Sequence, residues 1–272
     1  MPSQQLWVVA TPVGNPGDLS PRAREILGSV DYILAEDTRR AWRLLKECEI
    51  QPKNLISFYE HNEQDRQESI LNLLREGASA ALISDAGTPL LADPGYRLVR
   101  ACRQEGIPVS PVPGAFAPAI ALSAAGLPPL PFTFLGFLPR TRSEKKALFN
   151  SYSSVPGSLV FFERKNRLEE SLAIAFEQLG ERELAICREL TKTHEQFIIG
   201  FLEDYASLSI SLLGELTIII GPPEKKFRSP RTLIDERIAI ARQQGLKPRA
   251  IARSVASQCS GWTASEIYSL LF

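Results

Sequence analysis

Three short runs bring together side chains that can take a proton or hold a phosphate. "AEDTRR" carries Glu36, Asp37 and Arg39, "YEHNE" carries Glu60 and His61, and "RELTK" carries Arg188, Glu189 and Lys192. A carboxylate or an unprotonated lysine beside a bound hydroxyl can act as a general base. Asp37 is the favoured proton acceptor, with Glu189 and Lys192 behind it. Arg39, Arg188 and Lys192 suit nucleic-acid phosphates, and His61 suits a surface hydrogen bond to the RNA more than a base's role. An ion pair at a strand end or a helix cap would use the same residues, so the runs alone leave both readings open.

Two turn-rich loops carry little reactive chemistry. "VVATPVGNPGDLS" follows the first apolar run, and its Gly14 and Gly17 allow backbone to approach a ligand at a helix start. The spacing is only G-x-x-G, yet Glu36 and Asp37 lie about where an NAD ribose-binding acid would stand, so a nicotinamide enzyme competes. "DAGTPLLADPGY" follows a buried run, "SAALIS". Gly87 permits positive φ, Thr88-Pro89 stiffens the chain, and Asp85 and Asp93 can accept hydrogen bonds from a cationic or hydroxylated ligand. Such a loop reads as a rigid binding wall.

Composition narrows the classes. The 272 residues carry equal numbers of Lys+Arg and Asp+Glu, but from Glu224 onward nine basic residues face four acidic ones. A basic tail on an acidic body points to nucleic acid or to a solvated helical surface. Cys48, Cys102, Cys187 and Cys259 are scattered, and there are only two histidines, so no metal site is expected. The cysteine pattern and an N-terminus without a signal-like apolar run lead to a cytoplasmic expectation. "AFAPAIALSAAGL" is too short to span a bilayer.

The elements that must position these residues read as alternating strands and helices. "LWVVA", "VDYILAE", "LISF", "ALIS" and "IPVSPV" look like strands, separated by helical patterns, which predicts a parallel sheet covered on both faces. Ser20-Pro21 opens a helix. Ile70, Leu73 and Leu74 share one helical face, and Gly77 can end that helix. The Pro-rich stretch Gly126 to Pro139 leads to a second unit with strands at "SLVFFE", "ELAICREL", "EQFIIGFL" and "ELTIIIG". "GPPEKK" reads as a linker to three short helices, with Ile234, Ile238 and Ala241 on one face and Thr263 with Glu266 in capping-box spacing. The expected division is residues 1–115, 116–223 and 224–272.

In order, "VATPVGNPGDLSPRA", "AEDTR", "EHNE", "SDAGTP", "ADPGYRLVRA", "VPG", "ALSAAGLP" and "RELTKTHE" closely resemble the ribosomal RNA small subunit methyltransferase I family, within the tetrapyrrole methylase superfamily. The resemblance spans nearly the whole chain. It implies two α/β domains with the cofactor cleft between them, a small C-terminal helical module, and homodimers. It implies methyl transfer from S-adenosylmethionine to a cytidine ribose 2'-oxygen in the decoding region of small-subunit rRNA, with no metal.

By similarity, Val13, Gly14, Ala86, Gly87, Thr88, Leu91, Phe116, Ala117, Glu163 and Leu190 would line the cofactor, with Asp85 at the same loop. The family's Tyr-Glu-Ser-Pro-His-Arg-like run is replaced by "FFERKNRL", which puts Arg164 and Lys165 where they could grip phosphate. Lys247, Arg249 and Arg253 of the basic tail extend the RNA surface, the two arginines being four apart on one face. A small-molecule tetrapyrrole methylase and a non-catalytic RNA-binding assembly factor remain the alternatives.

Overall fold

Most of the apolar runs become strands of two sheets in the computed structural model, which describes residues 4–59, 62–207, 214–223, 229–259 and 261–272. The chain divides into two units, Met1–Pro222 and Pro223–Phe272. In the first unit, β1 (Gln5–Val9), β2 (Tyr32–Ala35), β3 (Leu55–Ser57), β4 (Ser79–Ile83) and β5 (Val109–Val112) form a sheet in the order β3-β2-β4-β1-β5. Every pairing is parallel.

Helices α1 (Pro21–Ser29) and α2 (Thr38–Glu47) cover one face, packing Ile26, Leu27 and Leu45 against Val9, Ile33 and Ile83. Helices α3 (Glu63–Arg75) and α4 (Tyr96–Gln104) cover the other, packing Ile70, Leu74 and Leu98 against Leu6, Leu34 and Leu82. Burial on both faces is why these strands are continuously apolar. Adjacent β1 and β4 send their chains to helices on opposite faces. Their carboxyl ends therefore open a crevice, where sheets of this kind bind ligands.

The second sheet has the order β6-β7-β10-β8-β9, from β6 (Phe132–Phe137), β7 (Ser158–Glu163), β8 (Glu183–Arg188), β9 (Gln196–Phe201) and β10 (Leu216–Ile220). Only β6 and β7 run parallel. Helices α6 (Arg142–Ser151) and α7 (Lys165–Leu179) pack Phe149, Leu168 and Leu172 on one face, and α5 (Ala117–Ala124) lies on the other.

Two elements are absent from the sequence reading. β6 was hidden by its flanking prolines, which an edge strand tolerates; Gly136, at φ +66°, lies where its register breaks. α5 buries Pro118, Ala121 and Leu122 and turns the small Ala119, Ser123 and Ala124 outward, so no charged face marks it in the sequence. Pro118, in its first turn, is compatible with helix.

The expected local signals otherwise appear. Ser20 Oγ accepts from Ala23 N–H at 3.2 Å and caps α1. In the second unit, α8 (Arg231–Gln243), α9 (Pro248–Gln258) and α10 (Ala264–Ser269) bury Ile234, Ile238 and Ala241 against Ile251, Val255 and Ile267. Thr263 and Glu266 form the capping box of α10. The "GPPEKK" run passes into residues outside those described.

Candidate active site

The loops after β1 and β4 are stitched together. Thr11 N–H donates to Gly87 O at 2.8 Å, and Gly87 N–H donates back to Thr11 O at 3.1 Å. Thr11 Oγ1 donates to Ser84 O at 3.1 Å, and Thr88 Oγ1 to Ala115 O at 2.9 Å. Gly87 sits at φ +85°, a conformation open to glycine. Both of its main-chain groups face Thr11, so it shapes the wall and does not present its own amide. Further along, Leu90 and Ala92 are held at φ +72° and +76°, each at a cost of about 1–2 kcal/mol. A methyl on Gly136 of β6 would lie 3.9 Å from Ala92 Cβ, so this loop reaches the second sheet.

From the second sheet, the turn after β8 closes on the first loop. Glu189 and Thr191 are also left-handed, at φ +52° and +63°. Gly14 is pressed against this turn: an added Cβ would meet Lys192 Cγ, Leu190 O at 2.7 Å and Thr191 Oγ1 at 2.8 Å. Beside the contact, Val13, Ala117, Phe134 and Phe197 pack on Leu190, Cys187 and Ala121. Phe116 meets Phe134 edge-on at 5.4 Å. Thr191 Oγ1 is buried and has no hydrogen-bond partner among the described residues. An apolar wall with one unsatisfied hydroxyl is a ligand surface in character.

The acidic residues divide by environment. Asp37 caps α2, accepting from Arg39 N–H at 2.9 Å and pairing with the Arg39 guanidinium at 2.9 Å. Hydrogen bonds from Arg39 lower its pKa to about 2. Such a carboxylate holds a proton weakly, which fits a cap better than a base. Glu189 accepts from Lys192 at 3.0 Å and from Glu215 N–H at 3.0 Å. Burial would raise the Glu189 pKa, but these hydrogen bonds and the Lys192 charge outweigh it and lower it. Burial would likewise depress Lys192, and Glu189 and Glu215 outweigh it, so Lys192 stays a cation.

Asp85 binds Asp37 N–H at 3.2 Å and Arg40 at 3.1 Å, tying the two strand ends together. Asp93 differs from the others. Burial, then the Glu36 charge, and last Asp85 push its pKa up to about 7 against a hydrogen bond from Ser84.

A cavity of about 190 Å³ lies between Pro12–Gly14, Arg40, Asp85 and Lys192. It unites the expected Val13, Gly14, Asp85 and Lys192, and adds Arg40 and Arg43. These two, three apart on α2, form a helical-face signal the sequence already carried. Thr191, Phe134 and Phe197 had no such signal.

Other expected residues lie elsewhere. Glu163 is buried, and its carboxylate accepts from Ser171 at 2.7 Å and Arg164 N–H at 2.9 Å and pairs with Arg167 at 3.4 Å. Only its main chain is left for a cleft. Leu91 is exposed. Ala86 O accepts from Ser84 at 3.4 Å within its own loop. Arg39, Arg164 and Lys165 are exposed, and Arg188 binds Gln196 at 3.3 Å. His61 lies outside the described residues. Lys247, Arg249 and Arg253 belong to the helical unit. Among the described residues no three His, Cys, Asp or Glu side chains are grouped as metal ligands, and no helix is long and apolar enough to cross a membrane.

A sequence profile of the tetrapyrrole (corrin/porphyrin) methylases matches residues 5–206. The chain is 40% identical over 270 residues to a ribosomal RNA small subunit methyltransferase I of Micromonospora olivasterospora, covering 98% of this chain and 86% of that one. It is 47% identical over 233 residues to the protein of that name from Escherichia coli O157:H7, covering 85% and 77%. The uroporphyrin-III C-methyl transferase of Thermus thermophilus, solved with S-adenyl homocysteine, superposes with a TM-score of 0.58 at 17% identity, covering 80% of this chain and 97% of that one.

Proposed function

The chain belongs to the ribosomal RNA small subunit methyltransferase I family of tetrapyrrole methylases, and from that membership we propose that its cleft methylates the 2'-oxygen of a cytidine ribose in the decoding region of small-subunit rRNA. S-adenosylmethionine is the donor. The enzyme works in the cytoplasm as a homodimer. The observation that carries the reading is the closed seam at Gly14, where the apolar wall and the unpartnered Thr191 hydroxyl meet.

That seam fits the donor: an apolar surface suits its purine and thioether portions, and a hydroxyl suits its polar groups. Val13, Phe116, Ala117 and Leu190 would hold it, with Thr191 as a hydrogen-bond partner. The bound donor supplies an already electrophilic methyl group. The protein's remaining work is to align the acceptor oxygen and take its proton. No protein nucleophile is needed, and among the described residues the hydroxyls and thiol nearest these loops are occupied or buried. The Thr88 hydroxyl donates to Ala115 O, the single Ser84 proton is shared between Gly87 O and the Asp93 carboxylate, and burial pushes the Cys187 thiol up to about 12.

Asp93 is the proton acceptor in this reading. It is held by Ser84 beside Glu36 and Asp85 at the carboxyl ends of β2 and β4. Asp37 keeps α2 in place, and Arg40, Arg43 and Lys192 meet backbone phosphates at the cavity rim. The Micromonospora relative named for rRNA aligns over 98% of the chain, the helical unit included, whereas the Thermus C-methyl transferase covers only 80% of it. A small porphyrin-like substrate gives no reason for that extra unit.

The test offers labelled donor with isolated small subunits, free rRNA and a porphyrin precursor in parallel. Label on a 2'-O-methylcytidine of the small-subunit RNA is the expected result. Label on the precursor alone, or donor binding with no transfer to any of the three, overturns the reading.

A further inference from the structure

The helical unit contains a cavity of about 300 Å³ that methyl transfer leaves unused. Arg249, Ala252 and Arg253 line one side, and Ala264, Ser265 and Tyr268 line the other. The arginines are four apart and stack along one face of α9. Among the described residues neither guanidinium has an ion-pair or hydrogen-bond partner, and no lining residue is acidic. Tyr268 is 38% exposed and is braced edge-on by Phe272 at 5.4 Å. The small Ala252, Ala264 and Ser265 leave the space open.

Two unpaired cations beside an aromatic face match one ligand chemistry: a flat π-system joined to anions. We infer that this cavity takes one unpaired nucleotide of an RNA strand, its base stacked on Tyr268 and its flanking phosphates on Arg249 and Arg253. The base must be unpaired, because a base in a duplex has both faces covered by its neighbours. Stacking on an aromatic side chain tolerates any base, so the cavity adds grip for single-stranded RNA without selecting sequence. The size agrees, since about 300 Å³ is the lower end for small-ligand pockets. This inference rests on the reading of the protein as an RNA enzyme.

The experiment uses the full chain and fluorescence anisotropy on a mixed-sequence RNA hexamer, single-stranded and as a duplex, over a range of salt. Tyr268→Leu keeps apolar volume and removes the ring. It should weaken the single strand about tenfold and leave the duplex nearly unchanged, while Tyr268→Phe stays within about twofold of the parent. The double variant Arg249→Gln/Arg253→Gln should reduce the single-strand salt slope by about 1.4. Tyr268→Leu binding the single strand like the parent overturns the inference, as does an equal loss for strand and duplex. Methyl transfer to small subunits is read separately. Transfer that fails while Tyr268 still governs hexamer binding sinks the proposed reaction and leaves the cavity standing; transfer that proceeds with a Tyr268-independent hexamer does the reverse.

Discussion

Replacing Asp93 with Asn should make the protein more stable at neutral pH and less active. Burial and the neighbouring Glu36 and Asp85 raise the Asp93 pKa from 3.8 to about 7 on folding. Between those values the folded state keeps a proton that the unfolded chain has lost. The wild type is therefore at full stability below pH 3.8, loses stability as pH rises to about 7, and stays level above. Asn has no such slope. From pH 5 to 7 the gap between variant and parent should widen by about 2.3 kcal/mol for a fully shielded group, the slope falling off as Asp93 itself ionises near pH 7. Halving for solvent at a partly exposed carboxyl leaves about 1.1 kcal/mol. For a body of this size that is about 2–5 °C in Tm.

Activity should move the opposite way. Near pH 6 about a tenth of Asp93 is ionised and near pH 8 about nine tenths, so parent single-turnover rates should rise about tenfold across that range. Asp93→Asn should lose about a hundredfold in rate and the rise itself, with donor affinity kept. Melting curves at pH 5 and 7.5, with single-turnover transfer from labelled donor, give both readouts. Parallel stability curves for the two proteins, or an Asn variant that keeps the pH-dependent rise, would refute the argument.

Gly14→Val should force apart the loop and the Leu190–Lys192 turn, weakening donor binding by tenfold or more, about 1.4 kcal/mol, as calorimetric titration would measure. Gly87→Ala meets only Ala115 O at 3.6 Å and Val13 Cγ2 at 3.9 Å; its penalty is the positive φ, about 1–2 kcal/mol of stability, visible as a lowered Tm. Asp37→Asn should keep the α2 cap, since Asn caps as well as Asp, and should hold the single-turnover rate within about threefold; a hundredfold loss would restore Asp37 as the base. Removing Pro223–Phe272 should weaken RNA binding and flatten its salt dependence while donor affinity is unchanged; equal salt slopes for the truncated and full chains would contradict this.

Local signals alone determined much of the first sheet. Continuous apolar runs between helical patterns specify doubly covered parallel strands, and Ser20, Thr263 and Glu266 mark helix starts through short-range hydrogen bonds. The order of the glycine and proline loops also carried the family. β6 and α5 escaped for different reasons: β6 is an edge strand flanked by prolines, and the outward face of α5 carries Ala119, Ser123 and Ala124, with no charged residue to mark a helical period. For the acidic residues the environment decides. In sequence Asp37 and Asp93 are both plain aspartates beside turns. Folding places Arg39 on the first and Glu36 with Asp85 around the second, which leaves one pKa at about 2 and the other at about 7. A carboxyl group's affinity for a proton depends on the charges and water within a few ångströms, and for Asp93 the larger of the two charge effects, from Glu36, comes from the end of β2, remote in the chain, while Asp85 shares its own loop.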